Sequence, residues 1–256
     1  MKQAVFFDID GTLAIRRFIP PSAETAVRSL RENGTLIFIC TGRNASYVRH
    51  HFHAYADGFI CANGRYAFYN GRILYDHPIE LTLLQKAREI TLGSGGGITF
   101  FGNRNAYYEG DAEGFEKFRE AHAGQPLRRL ITLEQTDPIY TFDVFFHSEE
   151  ELQCIRSSLR DFCIFNPHLP WPTADVTVLP YDKGTALTAV CQALGIRKED
   201  SFAFGDGEND LCMFKAAGHG IAMGNAAASL KECADHVTDS ILEDGVLHGL
   251  NHYGLL

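Results

Sequence analysis

Two carboxylates stand two residues apart where an apolar run of the chain ends. Asp8 and Asp10, in the segment Asp8-Ile9-Asp10-Gly11-Thr12, directly follow Ala4-Val5-Phe6-Phe7. A second acidic segment, Gly205-Asp206-Gly207-Glu208-Asn209-Asp210, follows the apolar run Phe202-Ala203-Phe204. If both runs are buried strands of one sheet, their acids meet at one edge, where a cation must balance the repulsion between them. The pattern predicts a metal-assisted enzyme.

Magnesium suits this set of oxygen donors. Mg²⁺ commonly binds one or two carboxylates together with waters and a substrate phosphate, and we predict Asp8 and Asp206 as its side-chain ligands. A calcium-binding loop that starts at Asp206 does not fit, because its sixth position requires glycine and holds Leu211. The predicted cofactor is therefore Mg²⁺.

The first acidic segment has the parts of a phosphoryl-transfer site. A carboxylate beside the metal can attack phosphorus in line, and the resulting aspartyl-phosphate divides hydrolysis into two easier displacements. Asp8 is predicted to make this attack. Asp10, two residues later, can protonate the leaving oxygen and then accept a proton from water. Gly11 and Thr12 permit the turn that this requires.

Donors for the charged phosphoryl oxygens come from two other places in the chain. Negative charge on the transferring group requires donors that are fixed in advance. Thr41 follows an apolar run, and Lys183 precedes Gly184-Thr185 at the start of a predicted helix, where free amide groups also attract anions. Asp210 can hold either Lys183 or a metal-bound water, and Asn209 can complete the surrounding shell.

The elements that carry these residues follow an alternating pattern. A strand at 4–7, a helix between Ser22 as N-cap and Gly34, and a strand at 35–40 form a βαβ unit, whose strands are parallel. Beyond Pro180 the pattern resumes with a helix at 184–194, a strand at 201–204, a helix at 208–217 and a strand at 219–222. Asp8, Thr41 and Asp206 then share the carboxyl edge of an α/β, doubly wound parallel sheet, where ligands bind.

The middle of the chain has a different pattern. A helix at 43–56 and a hairpin that turns at Asn70-Gly71 complete the first part. From there, helices are predicted at 80–92, 112–123 and 149–160, with runs of strands between them, which is typical of an α+β domain with an antiparallel sheet. We predict a discontinuous core of residues 1–79 and 183–256, interrupted by an inserted domain of residues 80–182.

Composition limits the classes of partner. The chain has 256 residues and a formal charge of −9, which argues against a general nucleic-acid or anionic-membrane surface. It has no apolar run long enough to cross a bilayer and no export signal at its start. Its seven cysteines form no C-x-x-C pair, so neither disulfides nor a thiolate zinc site is predicted. We expect a cytoplasmic protein.

Four segments together resemble the motifs of the haloacid dehalogenase superfamily phosphatases. In order they are Asp8-Ile9-Asp10-Gly11-Thr12, Thr41-Gly42-Arg43, Lys183-Gly184 and Gly205-Asp206-Gly207-Glu208-Asn209-Asp210. The inserted domain is similar to the α/β cap of the Cof-type branch, which Ala62-Asn63-Gly64 and Ala222-Met223-Gly224-Asn225-Ala226 also match. The resemblance extends over the whole chain.

The resemblance implies a Rossmann-like core with a mobile cap, one Mg²⁺ ion and hydrolysis of small phosphate monoesters. Asp8 inherits the role of nucleophile and Asp10 that of acid and base. The backbone carbonyl of Asp10 and the side chain of Asp206 further hold the metal, with Asp210 close by. Sugar phosphates, flavin mononucleotide and pyridoxal phosphate are all plausible substrates, and the state of assembly is expected to be a monomer or a weak homodimer.

Gly42, Arg43 and Asn209 complete the predicted site as contacts for the phosphate or the substrate. The sequence leaves two interpretations of Arg43 open, because it can bind the phosphate or simply begin a helix. Cys40 beside Thr41 is interpreted as a buried strand cysteine, since no positioned base accompanies it. His50, His51 and His53 are expected to face solvent, because nothing in their spacing demands a metal.

Two other functions share much of this pattern. A phosphomutase of similar fold passes the phosphoryl group to a sugar hydroxyl instead of to water. A phospho-receiver signalling domain also pairs acids, a threonine and a lysine around magnesium, although the large inserted domain and the position of Asp10 argue against it. A catalytically idle metabolite sensor is disfavoured by the complete set of acids.

Overall fold

The computed structural model describes residues 2–121, 126–168 and 171–256. The chain divides into two compact units, which are described separately. The first contains the described residues of Met1–Thr41, Val48–Asp76 and Asp182–Leu256, and the second those of Gly42–Tyr47 and His77–Tyr181. The interruption of one unit by the other means that each is built from distant stretches of chain.

The strands, in chain order, are β1 (Ala4–Phe7), β2 (Leu36–Cys40), β3 (Gly58–Cys61), β4 (Tyr66–Tyr69), β5 (Arg72–Asp76), β6 (Gly97–Gly102), β7 (Ala106–Glu109), β8 (Leu127–Arg129), β9 (Ile139–Phe145), β10 (Cys163–Pro167), β11 (Thr173–Val178), β12 (Ser201–Gly205), β13 (His219–Ala222) and β14 (His236–Val237). The helices are α1 (Pro21–Glu32), α2 (Ala45–His51), α3 (Leu81–Gly93), α4 (Ala112–Ala121), α5 (Glu149–Leu159), α6 (Lys183–Leu194), α7 (Leu211–Ala216), α8 (Ala228–Glu232) and α9 (Gly245–His252). Short 3-10 turns occur at Ala62–Gly64, Leu133–Gln135, Lys198–Asp200 and Glu208–Asp210.

The first unit is built on an eight-stranded sheet with the order β14-β13-β12-β1-β2-β3-β4-β5. The pairs from β14 to β3 are parallel, and the β3–β4 and β4–β5 pairs are antiparallel. All four residues of β1 are completely buried, as expected for a parallel strand covered on both faces. Strand β1 lies between β12 and β2, so the loops after these three strands leave the same edge of the sheet.

Helix α1 has the predicted apolar face but begins differently from the prediction. Ala23, Ala26, Val27 and Leu30 are its buried residues, which is the spacing of one helical face. Pro20, not Ser22, occupies the N-cap position, and Pro21 is the first helical residue. A proline at that position loses no hydrogen bond and already has a helical φ, so the proline pair sets the start of the helix.

Other elements of the first unit match the sequence pattern to different degrees. The hairpin of β4 and β5 turns at Asn70-Gly71, which confirms that prediction. Helix α2 is shorter than the predicted 43–56, and the predicted helix at 208–217 begins as a 3-10 turn before α7. Elements α8, β14 and α9 have no counterpart among the predicted elements, because short elements give little periodicity.

The second unit contains a six-stranded sheet with the order β10-β11-β9-β6-β7-β8. All its pairs are antiparallel except β7–β8. Residues of α3 and α5, including Leu84, Leu152 and Ile155, share one hydrophobic cluster with sheet residues such as Ile98 and Val144. The predicted helix at 112–123 corresponds to α4, and its last two positions lie outside the described residues.

Among the helices in the described ranges, none combines the length and the hydropathy that crossing a membrane requires.

Candidate active site

The first acidic segment begins where β1 leaves the sheet. The backbone N–H of Asp8 still donates to the carbonyl of Phe204 at 3.0 Å, so Asp8 continues the β1–β12 pairing by one residue. Its own carbonyl accepts the N–H of Leu13 at 3.3 Å, which folds the loop back on the strand. Asp8 is only 7% exposed. The predicted nucleophile is thus held rigidly by the sheet and shielded from bulk water.

Gly11 allows this loop to approach the second acidic segment. Its φ is +91°, and a Cβ at this position would lie 2.2 Å from Oδ2 of Asp206. Its carbonyl accepts a hydrogen bond from Nδ2 of Asn225 at 2.9 Å. The next residue, Thr12, is fully buried, and its hydroxyl donates to Oδ1 of Asp206 at 2.8 Å. These contacts fix the Asp206 carboxylate against the turn.

A pair of glycine substitutions separates this close approach from simple backbone strain. Gly34 also has a positive φ, +78°, but a Cβ there would meet nothing within 4 Å. We expect Gly34→Ala to cost only the strain of a left-handed alanine, about 1–2 kcal/mol, with activity retained. Gly11→Ala should add displacement of Asp206 and reduce the kcat/KM of the phosphate-ester hydrolysis that the sequence predicts, at least about tenfold at a limiting concentration of the predicted Mg²⁺ ion, as expected for a disturbed ligand shell.

Both variants would be compared by urea unfolding and by activity titrated with Mg²⁺. Equal activity of the two alanine variants would show that the contact between Gly11 and Asp206 does not matter to the site.

Lys183 joins the two acidic segments. It is the first residue of α6, and only 1% of it is exposed. Its Nζ donates to Oδ1 of Asp8 at 2.7 Å and to Oδ1 of Asp210 at 2.6 Å. The Asp182 side chain caps α6 by accepting from the N–H of Thr185 at 2.7 Å, which fixes the start of the helix. Lys183 is therefore a buried ammonium shared by two carboxylates.

Asp210 is completely buried and connects Lys183 to the loop after β12. While Oδ1 accepts from Lys183, its Oδ2 accepts the backbone N–H groups of Asp206 at 3.0 Å and Gly207 at 3.1 Å. Of the two roles that the sequence left open for Asp210, this geometry favours holding Lys183. The same contacts orient the backbone that carries Asp206.

The carboxylates form a group that a divalent cation fits. Asp8, Asp206 and Asp210 each offer an oxygen within 4.8 Å of the others. Three carboxylates and one ammonium leave a formal charge of −2, which one divalent ion would balance. Burial, and then the nearby Asp210 and Asp206, raise the pKa of Asp8 well above its usual range, although Lys183 opposes the rise. Oxygen donors and excess negative charge together suit a hard ion such as Mg²⁺.

The electrostatics of Asp206 and Lys183 follow from the same crowding. Burial raises the pKa of Asp206 to about 6, and the charge of Asp210 adds to this, while the hydrogen bond from Thr12 lowers it. Burial alone would lower the pKa of Lys183, but Asp210 and Asp8 reverse the sign and hold it well above its usual value. Lys183 therefore remains a cation. A metal ion bound near Asp206 would add a second positive charge and favour the ionised form of Asp206.

Thr41 lies at the end of β2 and is 2% exposed. Its backbone N–H donates to the carbonyl of Ile60 at 2.9 Å, and its carbonyl accepts the N–H of Asn63 at 3.1 Å. Burial raises the pKa of the preceding Cys40, and the charge of Lys183 is close enough to oppose that rise. Thr41 therefore directly follows Cys40, which lies near the charge of Lys183. The raised pKa of the Cys40 thiol agrees with its interpretation as an unreactive, buried cysteine.

The remaining predicted residues lie at more exposed positions. Asp10 is exposed, its backbone bridges to Ala14, and its charge contributes to the raised pKa of Asp206, after burial and Asp210. Asn209 is half-buried, and its carbonyl accepts from the Cys212 thiol at 3.3 Å. Gly42 and Arg43 follow Thr41 in the chain and group with the second unit, where the guanidinium of Arg43 lies 5.0 Å from the centre of the Tyr47 ring.

Two supporting residues were not identified as parts of the site from the sequence. For Thr12 the sequence predicts only a turn, yet its hydroxyl donates to the carboxylate of Asp206. Asn225 donates to the carbonyl of Gly11 and accepts the N–H of Ile241 at 3.0 Å, so it links two loops of the first unit. The only signal for Asn225 was its place in a family motif, because contacts between residues so far apart in sequence leave no local pattern.

Comparison with known proteins gives consistent matches over the whole chain. A family model described as haloacid dehalogenase-like hydrolase matches residues 5–250. YkrA, a candidate phosphatase of Bacillus subtilis strain 168, is 29% identical over 98% of both chains. The pyridoxal phosphate phosphatase YbhA of Escherichia coli K12 is 26% identical over 94% of this chain and 96% of its own. The solved structure of the subclass IIB sugar phosphatase BT4131 is 29% identical, covers 100% of both chains and has a TM-score of 0.84.

Proposed function

Because this chain belongs to the haloacid dehalogenase-like hydrolases, and within them to the Cof-type phosphatases, we propose that it hydrolyses small phosphate monoesters through an aspartyl-phosphate on Asp8. The observation that carries the proposal is the placement of buried Lys183 between Asp8 and Asp210, beside Asp206. Such an arrangement holds a carboxylate at a fixed position next to positive charge, which is what nucleophilic attack on phosphorus requires.

In the first step, an oxygen of Asp8 attacks phosphorus and forms a new P–O bond. The bond from phosphorus to the leaving oxygen breaks, and Asp10 donates the proton that the leaving oxygen needs. The exposure of Asp10 supports this role, because a group that exchanges protons with substrate and water must be accessible. An alcohol is released.

In the second step, water attacks the phosphorus of the aspartyl-phosphate and Asp10 accepts its proton. The bond to the Asp8 oxygen breaks, which releases inorganic phosphate and regenerates the carboxylate.

Lys183 donates two of its N–H groups to the carboxylates of Asp8 and Asp210. An ammonium has three, so the remaining one, together with Thr41, is assigned to the phosphoryl oxygens.

The carboxylates of Asp8 and Asp206 and the backbone carbonyl of Asp10 are proposed to hold Mg²⁺, with Asp210 in support. When bound, the ion supplies positive charge that favours ionised carboxylates and balances the phosphoryl oxygens. Gly42, Arg43 and Asn209 are proposed to contact the phosphate or the rest of the substrate. Asp8, Asp10, Thr41 and Lys183 are proposed as the catalytic residues, and the contacts of Lys183 with Asp8 and Asp210 and the match to the family motifs support this proposal.

The substrate is a small phosphorylated metabolite, and sugar phosphates and pyridoxal phosphate are candidates that the names of similar proteins support. A cytoplasmic location is also proposed, since all seven cysteines are free thiols, as a reducing compartment would leave them. We further propose a monomer or weak homodimer with no nucleic-acid or membrane partner, in keeping with the net charge of −9.

A screen of the purified protein against phosphorylated metabolites, with and without Mg²⁺, tests this function. We expect release of inorganic phosphate, its loss by at least about a hundredfold after EDTA treatment, and its return when Mg²⁺ is added back. Unchanged turnover after chelation would contradict the metal requirement. Transfer of the phosphoryl group to an added sugar phosphate instead of to water would identify a phosphomutase.

A further inference from the structure

Two loops of the second unit leave the same edge of its sheet. Strands β7 and β9 flank β6, and both run antiparallel to it, so both end at the edge where β6 begins. The loop after β7 carries Asp111 and leads into α4, and the loop after β9 carries His147 and leads into α5. The order of the strands therefore brings the starts of two helices to one edge.

Glycines let the loop after β7 pass close to the start of β6. A Cβ on Gly110 would lie 2.8 Å from the Cα of Gly97, and a Cβ on Gly97 would lie 2.3 Å from the hydroxyl oxygen of Tyr108. The φ of Gly110 is +146°, a value that residues with a Cβ rarely adopt. Because no side chain separates the loop from β6, it can approach the loop after β9.

Three side chains that bind metals meet where these loops approach each other. Nε2 of His147 lies 3.3 Å from Oδ2 of Asp111, and Glu113 offers a third donor atom. One such atom of each residue lies within 4.8 Å of the other two. All three residues are exposed, so an ion can reach them from the solvent.

The surrounding contacts hold two of these side chains in place and leave the third available. Oδ1 of Asp111 accepts the N–H of Gly114 at 2.7 Å and so caps α4, which leaves Oδ2 for another partner. The ring of His147 packs edge-on against Phe145, with 4.9 Å between the ring centres. Glu113 pairs with Lys117 at 2.7 Å, but exposed ion pairs contribute little to stability, so a divalent ion can compete for Glu113.

Tyr108 is an independent indication of a bound ion. It is 1% exposed, and its hydroxyl has no hydrogen-bond partner among the described residues. A Cβ on Gly114, whose N–H donates to Asp111, would lie 2.0 Å from this hydroxyl oxygen. After the larger effect of burial, the charge of Asp111 raises the pKa of Tyr108. Carboxylates that bind metals accept hydrogen bonds from supporting residues, and Tyr108 is a donor placed beside Asp111.

We propose that His147, Asp111 and Glu113 bind a Zn²⁺ ion, with Tyr108 supporting Asp111, and that the ion links the starts of α4 and α5. Zn²⁺ binds imidazole nitrogens and carboxylate oxygens, and three protein ligands leave its fourth position to water. The imidazole distinguishes this site from the predicted Mg²⁺ site, because Mg²⁺ takes oxygen ligands. The inference does not depend on the proposed phosphatase function.

Calorimetric titration of the whole chain with ZnCl₂, in an excess of Mg²⁺ that occupies the predicted site of the first unit, tests the proposal. We expect one Zn²⁺ per chain. His147→Gln and Asp111→Asn should each weaken binding at least about tenfold, since even the loss of a supporting contact at a metal site has that effect. Asparagine is also a good N-cap, so α4 should remain intact in Asp111→Asn.

His53→Gln is the matched control, because His53 is an exposed histidine of the first unit. It should bind Zn²⁺ like the wild-type protein. Wild-type affinity in His147→Gln or Asp111→Asn, or an equal loss in His53→Gln, would overturn the inference.

Tyr108→Phe gives a readout that a purely structural tyrosine would not produce. The substitution removes only the unpartnered buried hydroxyl, so without zinc the urea midpoint should stay equal or rise. Zn²⁺ affinity should nevertheless fall about tenfold, because Asp111 loses its supporting donor. Unchanged Zn²⁺ affinity in this variant would contradict the support that Tyr108 is proposed to give.

The position of the ion is measured by anomalous scattering from crystals soaked in ZnCl₂. We expect a peak between His147, Asp111 and Glu113. Zinc only at the acids of the first unit or at other surface histidines would show adventitious binding and overturn the inference. Neither experiment uses a substrate, so failure of this proposal and failure of the proposed phosphatase function are distinguishable.

Discussion

Replacing Asp8 by asparagine is expected to reduce turnover at least about 10⁴-fold, the scale seen when a catalytic nucleophile is removed. The amide has the shape of the carboxylate but lacks the nucleophilic oxygen anion. The fold should survive, because the amide oxygen can still accept from Lys183, which donates to Asp8 at 2.7 Å. Removing one of three clustered carboxylates also relieves repulsion with Asp206 and Asp210. Steady-state kinetics measures the loss of turnover, and circular dichroism measures whether the fold is retained.

Asp244→Asn is the matched control, since Asp244 is exposed and lies in a left-handed conformation that asparagine tolerates. Its turnover and unfolding midpoint should equal those of the wild-type protein. Near-normal turnover by purified Asp8→Asn would remove Asp8 from the reaction and, with it, the proposed mechanism.

Replacing Lys183 by methionine is expected to remove both activity and much of the stability. The substitution leaves Asp8 and Asp210 buried without the ammonium that now contacts both. Breaking a buried ion pair in this way typically costs about 3–5 kcal/mol. Urea unfolding without metal measures the cost, and added Mg²⁺ should stabilise the variant more than the wild-type protein, because a cation then compensates more unpaired charge.

The pH dependence of this variant has a definite sign. The pKa of Asp8 is raised even with Lys183 present, and loss of the ammonium raises it further. A carboxyl group with a folded-state pKa above its unfolded value binds more protons when folded, so its unfavourable effect diminishes as the pH falls toward about 4. The stability difference between Lys183→Met and the wild-type protein should therefore shrink between pH 7 and pH 5.

Lys198→Met serves as the control for loss of a lysine. Lys198 lies at the surface, and its Nζ donates to the carbonyl of Lys215 at 2.8 Å. The change should alter unfolding by no more than about 0.5 kcal/mol, as for most surface substitutions. If Lys183→Met were equally harmless, the contacts of Lys183 would not hold the site together.

The sequence predicted the adjacent strands of the sheet more successfully than it predicted the side-chain hydrogen bonds of the site. Apolar runs followed by Asp8, Thr41 and Asp206 imply strands that end at one edge, and β12, β1 and β2 are indeed adjacent and parallel. The order of strands and helices is enough for this prediction, because parallel strands joined by helices all end at the same edge of the sheet. By contrast, the hydrogen bond from Thr12 to Asp206 joins residues 194 positions apart, and no periodicity encodes it.

The second unit shows the same limit. Alternation in β9 and β11 indicates that Asp143 and Asp175 each lie on the face opposite apolar neighbours. Alternation does not fix register, so it cannot predict that these two aspartates oppose each other, that Thr99 lies opposite Asp143 or that Asn166 lies opposite Asp175. Pairing between strands that are distant in sequence depends on the packing of the whole unit.

The most direct measurement of the central claim is the site of phosphorylation during turnover. With phenyl phosphate, whose phenolate leaves with little need of a proton donor, Asp10→Asn should slow the attack of water more than the first step, so that the phosphorylated enzyme accumulates when substrate and Mg²⁺ are mixed and rapidly quenched in acid. Mass spectrometry of the digested protein is predicted to place the phosphoryl group on Asp8. A phosphoryl group on another residue, or none on the enzyme while phosphate is still released, would contradict the account.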